Sequence, residues 1–334
     1  MSAPNDRRAG PGQVSLGSWP TPVEAAPRLA ARLGLDPGSL WIKRDDLTGL
    51  GAGGNKVRKL QYTCAAALEN GATTLVTSGA AQSNHARLTA AAACRLGLDC
   101  YLVLAGQAPL VPGGNLALQA LLGAQIIWAG DVNNDQLNGR VDAVSRELTD
   151  AGKRVEVIPF GGSNVLGAHG YIDCGHELKA QIPGLRHVVV AAGSGGTMAG
   201  LVAALGPERV LGIDTGAVPD VTDRVGRMLG GLVAEGAMPS AYARQPLRLR
   251  KDQIGPGYGV LTRQARDALV DAAQCEGIIL DPVYTAKALS GLAAAVADGS
   301  IGRDDCTVFV HTGGLPGLFG HDFLRDPQRD PLRI

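Results

Sequence analysis

Aromatic residues make up only 4% of this 334-residue chain, so its core has to be built from aliphatic side chains and alanine, as in helices packed closely on a sheet. Neither sign of charge is in excess. The 31 Lys and Arg are matched by 31 Asp and Glu, which removes the main electrostatic reason to expect nucleic acid or an acidic membrane as partner. The six cysteines, at 64, 94, 100, 174, 275 and 306, form no CxxC pair and no dense framework. With no secretory signal in view, they read as reduced, mostly buried thiols of a cytoplasmic protein. No window approaches the roughly 18 to 20 apolar residues of a membrane-crossing helix. The opening MSAPNDRRAGPGQVSLG likewise lacks an apolar stretch and is expected to fray. Short-period repeats and low-complexity linkers are missing too.

Glycine, by contrast, is abundant: 47 residues, about double the usual share of roughly 7%. A length of 334 residues fits two domains and a cleft, and 45% hydrophobic with 19% charged residues describes a soluble globular chain. After TPVEAAPRLAARLGL, read as helical up to Gly34, and the strand WIKRDDL, short apolar strands alternate with amphipathic helices. ATTLVTSG, CYLVLAG, AQIIWAG and RVEVIPFGG are strands; VRKLQYTCAAALENG, NHARLTAAAACRLGL, NLALQALLGA and DQLNGRVDAVSRELTDAG are helices. GYIDCGHELKAQI, HVVVAAGSGG, TMAGLVAALG and RVLGIDTG continue the alternation. A less regular middle follows, then two helices and the last strand, CTVFVHTGG. Repeated βα units predict an α/β fold with parallel sheets covered on both faces, and ligands beyond the carboxyl ends of the strands.

Several glycine turns carry chemistry. GLGAGGNK (49–56) matches neither a complete dinucleotide fingerprint nor a Walker loop; what it offers is open backbone and an amine, Lys56, at the start of a helix. A cation there is disfavoured by the helix dipole, by roughly 0.3 to 1 kcal/mol, which favours the neutral, nucleophilic amine. A solvated lysine beside a turn is the bland alternative. GSGGT, with Gly193, Ser194, Gly195, Gly196 and Thr197, follows the apolar strand HVVVAA and opens a helix, the arrangement of a phosphate cradle. Packing alone also explains glycine at such turns. Asp214, ending the next strand, keeps open a nicotinamide-dependent oxidoreductase, although Met198 stands where the third glycine belongs and Lys56 is then unused.

AAQSNHAR places Gln82, Ser83, Asn84 and His85 at a strand-to-helix turn, where one residue caps the helix and four polar groups suit a substrate carboxylate. GPGYG and DPVYT put Tyr258 and Tyr284 in turns, as packing or as proton-moving phenols. VHTGG ends the last strand with Thr312. His169, Cys174 and His176 match no zinc spacing, so no metal is expected, and the basic stretch Arg244, Arg248, Arg250 and Lys251 reads as a solvated face.

Taken together, KRDD-x-TG-x-G-x-GGNK-x-RKL, QSNH, GSGGT, LDPVYT and HTGG resemble, in order and over most of the chain, the pyridoxal-phosphate enzymes of the tryptophan-synthase-like fold, specifically the D-cysteine desulfhydrase and aminocyclopropane-carboxylate deaminase family. The resemblance implies fold type II: two open, twisted, mostly parallel sheets with helices on both faces and pyridoxal 5'-phosphate in the cleft between domains. It implies a larger cofactor-binding domain of residues 1–54 and 168–334, a smaller one of 55–167, and a homodimer. Lys56 then holds the cofactor's aldehyde and moves protons. Gly193, Ser194, Gly195, Gly196 and Thr197 take its phosphate, and Asn84 and Thr312 also meet the cofactor. Gln82, Ser83, Asn84 and His85 receive the substrate, and Ser83, Tyr258 and Tyr284 line the reacting centre. Deaminase-type members carry an acid after the DPVY tyrosine and an apolar residue before the last GG; here stand Thr285 and Thr312. That pattern is similar to the desulfhydrases, and hydroxyls make the ring a weaker electron sink, sufficient for a good leaving group. D-cysteine, giving pyruvate, sulfide and ammonia, is the expected substrate, with cysteate sulfo-lyase or aminocyclopropane-carboxylate deaminase activity as the alternatives.

Overall fold

The computed structural model of the chain describes residues 11–321. Residues 1–10 of the segment expected to fray lie outside the described residues. Farther along, that segment is docked: Val14 N–H donates to Gln61 O at 3.0 Å, and Leu16 is buried.

In chain order the first half comprises β1 (Val23–Ala25), α1 (Pro27–Leu33), β2 (Leu40–Lys43), α2 (Lys56–Glu69), β3 (Thr74–Ala80), α3 (Asn84–Leu96), β4 (Asp99–Ala105), α4 (Gly114–Leu121), β5 (Gln125–Gly130), α5 (Asn134–Asp150) and β6 (Val155–Val157). The second half comprises α6 (Val165–Gln181), β7 (His187–Ala192), α7 (Gly196–Leu205), β8 (Val210–Asp214), α8 (Val221–Ala234), α9 (Ser240–Ala243), β9 (Arg248–Arg250), α10 (Arg263–Glu276), α11 (Thr285–Ala297), β10 (Thr307–Val310) and α12 (Leu315–Leu318). Two sheets result, one in the order β1-β2-β10-β7-β8-β9 and one in the order β5-β4-β3-β6. Every pairing is parallel except β1 with β2. β7 and β10 are buried along their whole length, as strands covered on both faces must be, and so is α7, which is apolar all round.

Four stretches differ from their sequence reading. WIKRDDL is a strand only as far as Lys43, and Asp45–Leu47 form a 3-10 turn. Val23–Ala25 is an edge strand, and the helix starts only at Pro27, whose fixed φ and missing N–H suit the first helical turn. Part of the supposedly irregular middle is α8, amphipathic, with Val221, Val225, Met228, Leu229 and Leu232 buried. The basic stretch becomes the edge strand β9, with Arg250 paired to Asp252 and Asp298 at 2.5 Å each.

α2 is held in place by charge as well as by apolar packing. Arg58 donates to both oxygens of Asp45 (2.8 and 2.9 Å) and of Glu177 (2.9 and 2.8 Å). Lys43 reaches Glu177 at 2.6 Å, and Tyr171 OH donates to Asp45 at 2.6 Å. This cluster, neutral overall, ties α2 to the end of β2 and to α6. Gly170 is part of the same fit: a Cβ there would stand 2.3 Å from Arg58 O, so only glycine lets α6 approach α2 this closely. The consequence is positional, because Lys56 sits two residues from Arg58 at the start of α2.

Candidate active site

One cavity of about 200 Å³ gathers the carboxyl ends of strands from both sheets: Ala80, Ser83, Asn84 and His85 after β3, Gly193, Ser194, Gly195 and Thr197 after β7, and Thr312 after β10. Lys56, Tyr258 and Tyr284 complete it. Of the residues the resemblance assigns to the site, Gln82 and Gly196 do not line this cavity. Gly196 N–H instead donates to Ser163 Oγ at 3.3 Å, and both ends of the Gln82 amide are engaged, Nε2 with Gly113 O and Oε1 with Asn115 N–H, each at 2.9 Å.

Lys56 opens α2 behind Asn55, whose Nδ2 donates to Thr197 Oγ1 at 3.0 Å and so joins the lysine turn to the glycine turn. Burial lowers the Lys56 amine to about 8, a hydrogen bond with Lys59 working the other way. Burial thus depresses its basicity in the same direction as the helix dipole.

The glycine turn is a ready anion cradle. Gly195 has φ 93°, and a Cβ on Gly196 would meet Ser163 Oγ at 2.7 Å and Lys59 Nζ at 3.0 Å. Lys59 Nζ donates to Ser163 Oγ (2.9 Å) and Gly161 O (3.3 Å), and Ser163 and Ser194 hydroxyls are 2.7 Å apart. Burial and then the neighbouring Lys56 hold Lys59 well below its ordinary value, and an anion beside it would favour its charged form. N–H groups at the start of α7, three hydroxyls and this amine fit the phosphate of pyridoxal phosphate; Lys56 in the same cavity fits its aldehyde. Lys59 and Ser163 escaped the sequence reading. The signal for Lys59 was its place one turn after Lys56 on the same helix face; for Ser163 it was the second glycine turn, FGGS, ending β6.

Ser83 caps α3, accepting from Ala86 N–H at 3.1 Å, and it also lines the cavity. His85 is buried; Nε2 lies 2.9 Å from Thr77 Oγ1, whose hydroxyl reaches Ile158 O at 2.8 Å. Burial and then Lys56 hold the ring neutral. Tyr258 and Tyr284 hydroxyls are 2.6 Å apart, and burial followed by Tyr258 raises Tyr284 well above its ordinary value. Thr285 faces away: its Oγ1 donates to Asp281 Oδ1 at 2.7 Å. Of the two threonines, only Thr312 lines the cavity, and among the described residues no lining residue is acidic.

Asp214 is buried outside the cavity lining, accepting from Gly216 N–H at 2.9 Å. His169 pairs with Glu235 and Cys174 packs by Asp45; among the described residues no group of three or more His, Cys, Asp and Glu could hold a metal ion. Nor is any described helix long and apolar enough to cross a membrane.

A cavity at converging strand ends, with a depressed lysine and an anion cradle, defines a fold type II pyridoxal-phosphate enzyme. Residues 14–313 match the family described as "Pyridoxal-phosphate dependent enzyme", and the chain belongs to it. Within that family it is 39% identical over 321 residues to a D-cysteine desulfhydrase of Klebsiella pneumoniae (strain 342), covering 92% of this chain and 96% of the relative. A D-cysteine desulfhydrase of Salmonella paratyphi B is 38% identical over 331 residues, with the same coverage. The crystal structure of an ACC deaminase homologue superposes with a TM-score of 0.86 at 35% identity, covering 93% of this chain and 94% of that one. The processed threonine deaminase isoform 2 of Solanum lycopersicum shares the fold, with a TM-score of 0.63 at 20% identity, over 88% and 79% of the two chains.

Proposed function

We propose that this protein is a pyridoxal-phosphate-dependent lyase that converts D-cysteine and water to pyruvate, sulfide and ammonia. The observation that carries this reading is the cavity itself: an amine at about 8, a proton-holding tyrosine pair and an anion cradle, with no carboxylate among the described residues of the lining. Relatives at 38–39% identity, named D-cysteine desulfhydrases, support the choice of substrate.

When bound, the cofactor supplies an aldehyde carbon for amines and a ring that takes up the electrons left by a breaking bond. Lys56, neutral for part of the time at physiological pH, takes the proton from the substrate's α-carbon. Tyr284 keeps its proton throughout the neutral range and, hydrogen-bonded to Tyr258, is placed to donate to the departing thiolate. Ser83 and Asn84 orient the substrate carboxylate, and Lys59, Ser163, Ser194 and Thr197 hold the phosphate. A lining without carboxylates leaves the ring nitrogen unassisted, which suits a leaving group as good as thiolate and disfavours opening an unactivated cyclopropane.

The same reading carries a cytoplasmic homodimer with lobes of residues 1–54 plus 168–334 and 55–167. Support for the division is that one sheet uses only strands between 74 and 157, and the other only strands on either side.

The test is to measure sulfide release from D-cysteine, L-cysteine and cysteate beside ammonia release from aminocyclopropane-carboxylate. D-cysteine is expected to lead; preference for the cyclopropane would overturn the assignment. Lys56→Ala should abolish the protein's visible absorbance and cut turnover by at least about 10²- to 10⁴-fold, the general acid–base share alone.

A further inference from the structure

Arg87, on α3, is fully buried, and among the described residues it meets no carboxylate. Its guanidinium donates to Gly51 O, to Gly53 O (3.1 Å from both Nη1 and Nη2), to Asn115 Oδ1 at 2.7 Å from Nε, and to Asn84 Oδ1 at 3.5 Å. An arginine has donors only. Asn115 must therefore turn its oxygen toward Arg87, which points its NH₂ the other way, to Gln82 O at 3.0 Å and Asn84 Oδ1 at 2.9 Å. Asn84 in turn has its oxygen occupied twice, by Asn115 and Arg87. Its own NH₂ is left for the cavity that Asn84 lines.

We infer that Arg87 and Asn115 are positioning residues that set the direction of the Asn84 amide, so that the cavity wall presents a donor to an oxygen acceptor of the substrate or cofactor. The chain of amides has a sense, and the arginine end fixes it. Were Asn84 free to flip, an amide oxygen would face that acceptor for part of the time, exchanging an attraction for a repulsion. Arg87 also braces the carbonyls of the loop directly ahead of Lys56, so the donor wall and the lysine turn are set by one side chain. Only the identity of the acceptor depends on the function proposed above.

Asn115→Asp is the sharpest probe. It keeps an acceptor for Arg87 but loses both NH₂ donations, so Asn84 turns its NH₂ to the new carboxylate and its oxygen to the cavity. Expected is a tenfold or greater loss, per cofactor-loaded site, either in KM for D-cysteine, if the acceptor is the substrate carboxylate, or in cofactor affinity titrated by visible absorbance, if it is a ring oxygen. A merely structural role would lower the thermal midpoint and leave both values within threefold, and that result overturns the inference. Should the variant not fold, Arg87→Lys, still donor-only, is expected to retain cofactor affinity better than Arg87→Gln, which can present either end; equal affinities overturn it. Cofactor affinity reads the relay whether or not D-cysteine is the substrate, so failure of the D-cysteine assignment is recognised separately, from wild-type turnover.

Discussion

Arg58 and Arg87 are buried to 2% and 0% exposure, one on α2 and the other on α3, and they are satisfied in opposite ways. Arg58 sits between two carboxylates: burial pulls its basicity down, but its partners, Asp45 foremost and Glu177 with it, together raise it well above the ordinary value. Among the described residues Arg87 has only carbonyls and amides as hydrogen-bond partners, and burial alone brings it down to about 10. A paired charge cements: it joins three elements, and its field is cancelled locally. An arginine answered by amides keeps its charge uncompensated and gives direction to the groups it touches, at the edge of a cavity whose expected ligands are anionic.

The pairing can be broken most severely at Asp45. Asp45→Asn should leave Arg58 half-paired in the interior and cost about 3–5 kcal/mol of stability, read as a lowered urea midpoint at unchanged slope; a loss under about 1 kcal/mol would mean that the cluster holds nothing together. At the other arginine, Arg87→Met strips Gly51 O, Gly53 O and Asn115 Oδ1 of a donor. Here about 1–3 kcal/mol is expected, less than at Asp45, but with cofactor affinity falling as well; a variant that binds cofactor as the wild type does would erase the contrast.

Acid sharpens the comparison further. Despite burial, Arg58 holds Asp45 below its ordinary value of 3.8, and Arg58 with Lys43 does the same for Glu177, ordinarily 4.5. For depressed carboxyls the stabilisation is complete above the ordinary range and is lost as pH falls through the folded-state values. Unfolding free energy should therefore drop below about pH 4, less steeply in Asp45→Asn; equal slopes would deny the cluster this role. The smallest effect concerns Lys56. The rate of apoenzyme reconstitution needs the neutral amine, so it should rise with pH through about 8, and Asp45→Asn, which leaves Arg58, two residues from Lys56, with one negative partner fewer, should move that rise to lower pH. A rise centred near 10.5 would show the amine to be exposed.

Much of the scaffold is legible from periodicity. Apolar runs such as HVVVAA and TVFV can only be strands covered on both faces, and glycine after them marks the turns that line the cavity. What escaped is instructive. β1 and β9 are three-residue edge strands whose pairing depends on a neighbour far along the chain, and α8 was hidden in a stretch dominated by turn-forming residues. In the site, Lys56, Ser83, Asn84, Tyr258, Tyr284 and the GSGGT turn stand out locally, whereas Lys59 looks like any lysine on a basic helix until Ser163, 104 positions away, is brought against it. Thr285 misled in the opposite direction: it follows a tyrosine of the cavity, yet it serves Asp281 at the head of α11.

Order of elements, turn chemistry and the inventory of reactive groups are written in short windows, because backbone preference and hydrophobic period depend on near neighbours. Environment is not local. Burial lowers Lys56, a missing carboxylate distinguishes Arg87 from Arg58, and amides turn one way and not the other because groups separated by 28 to 142 positions meet in a medium where an unsatisfied polar atom is costly. Only the packed chain settles such matters, since solvation and partner geometry exist nowhere before it.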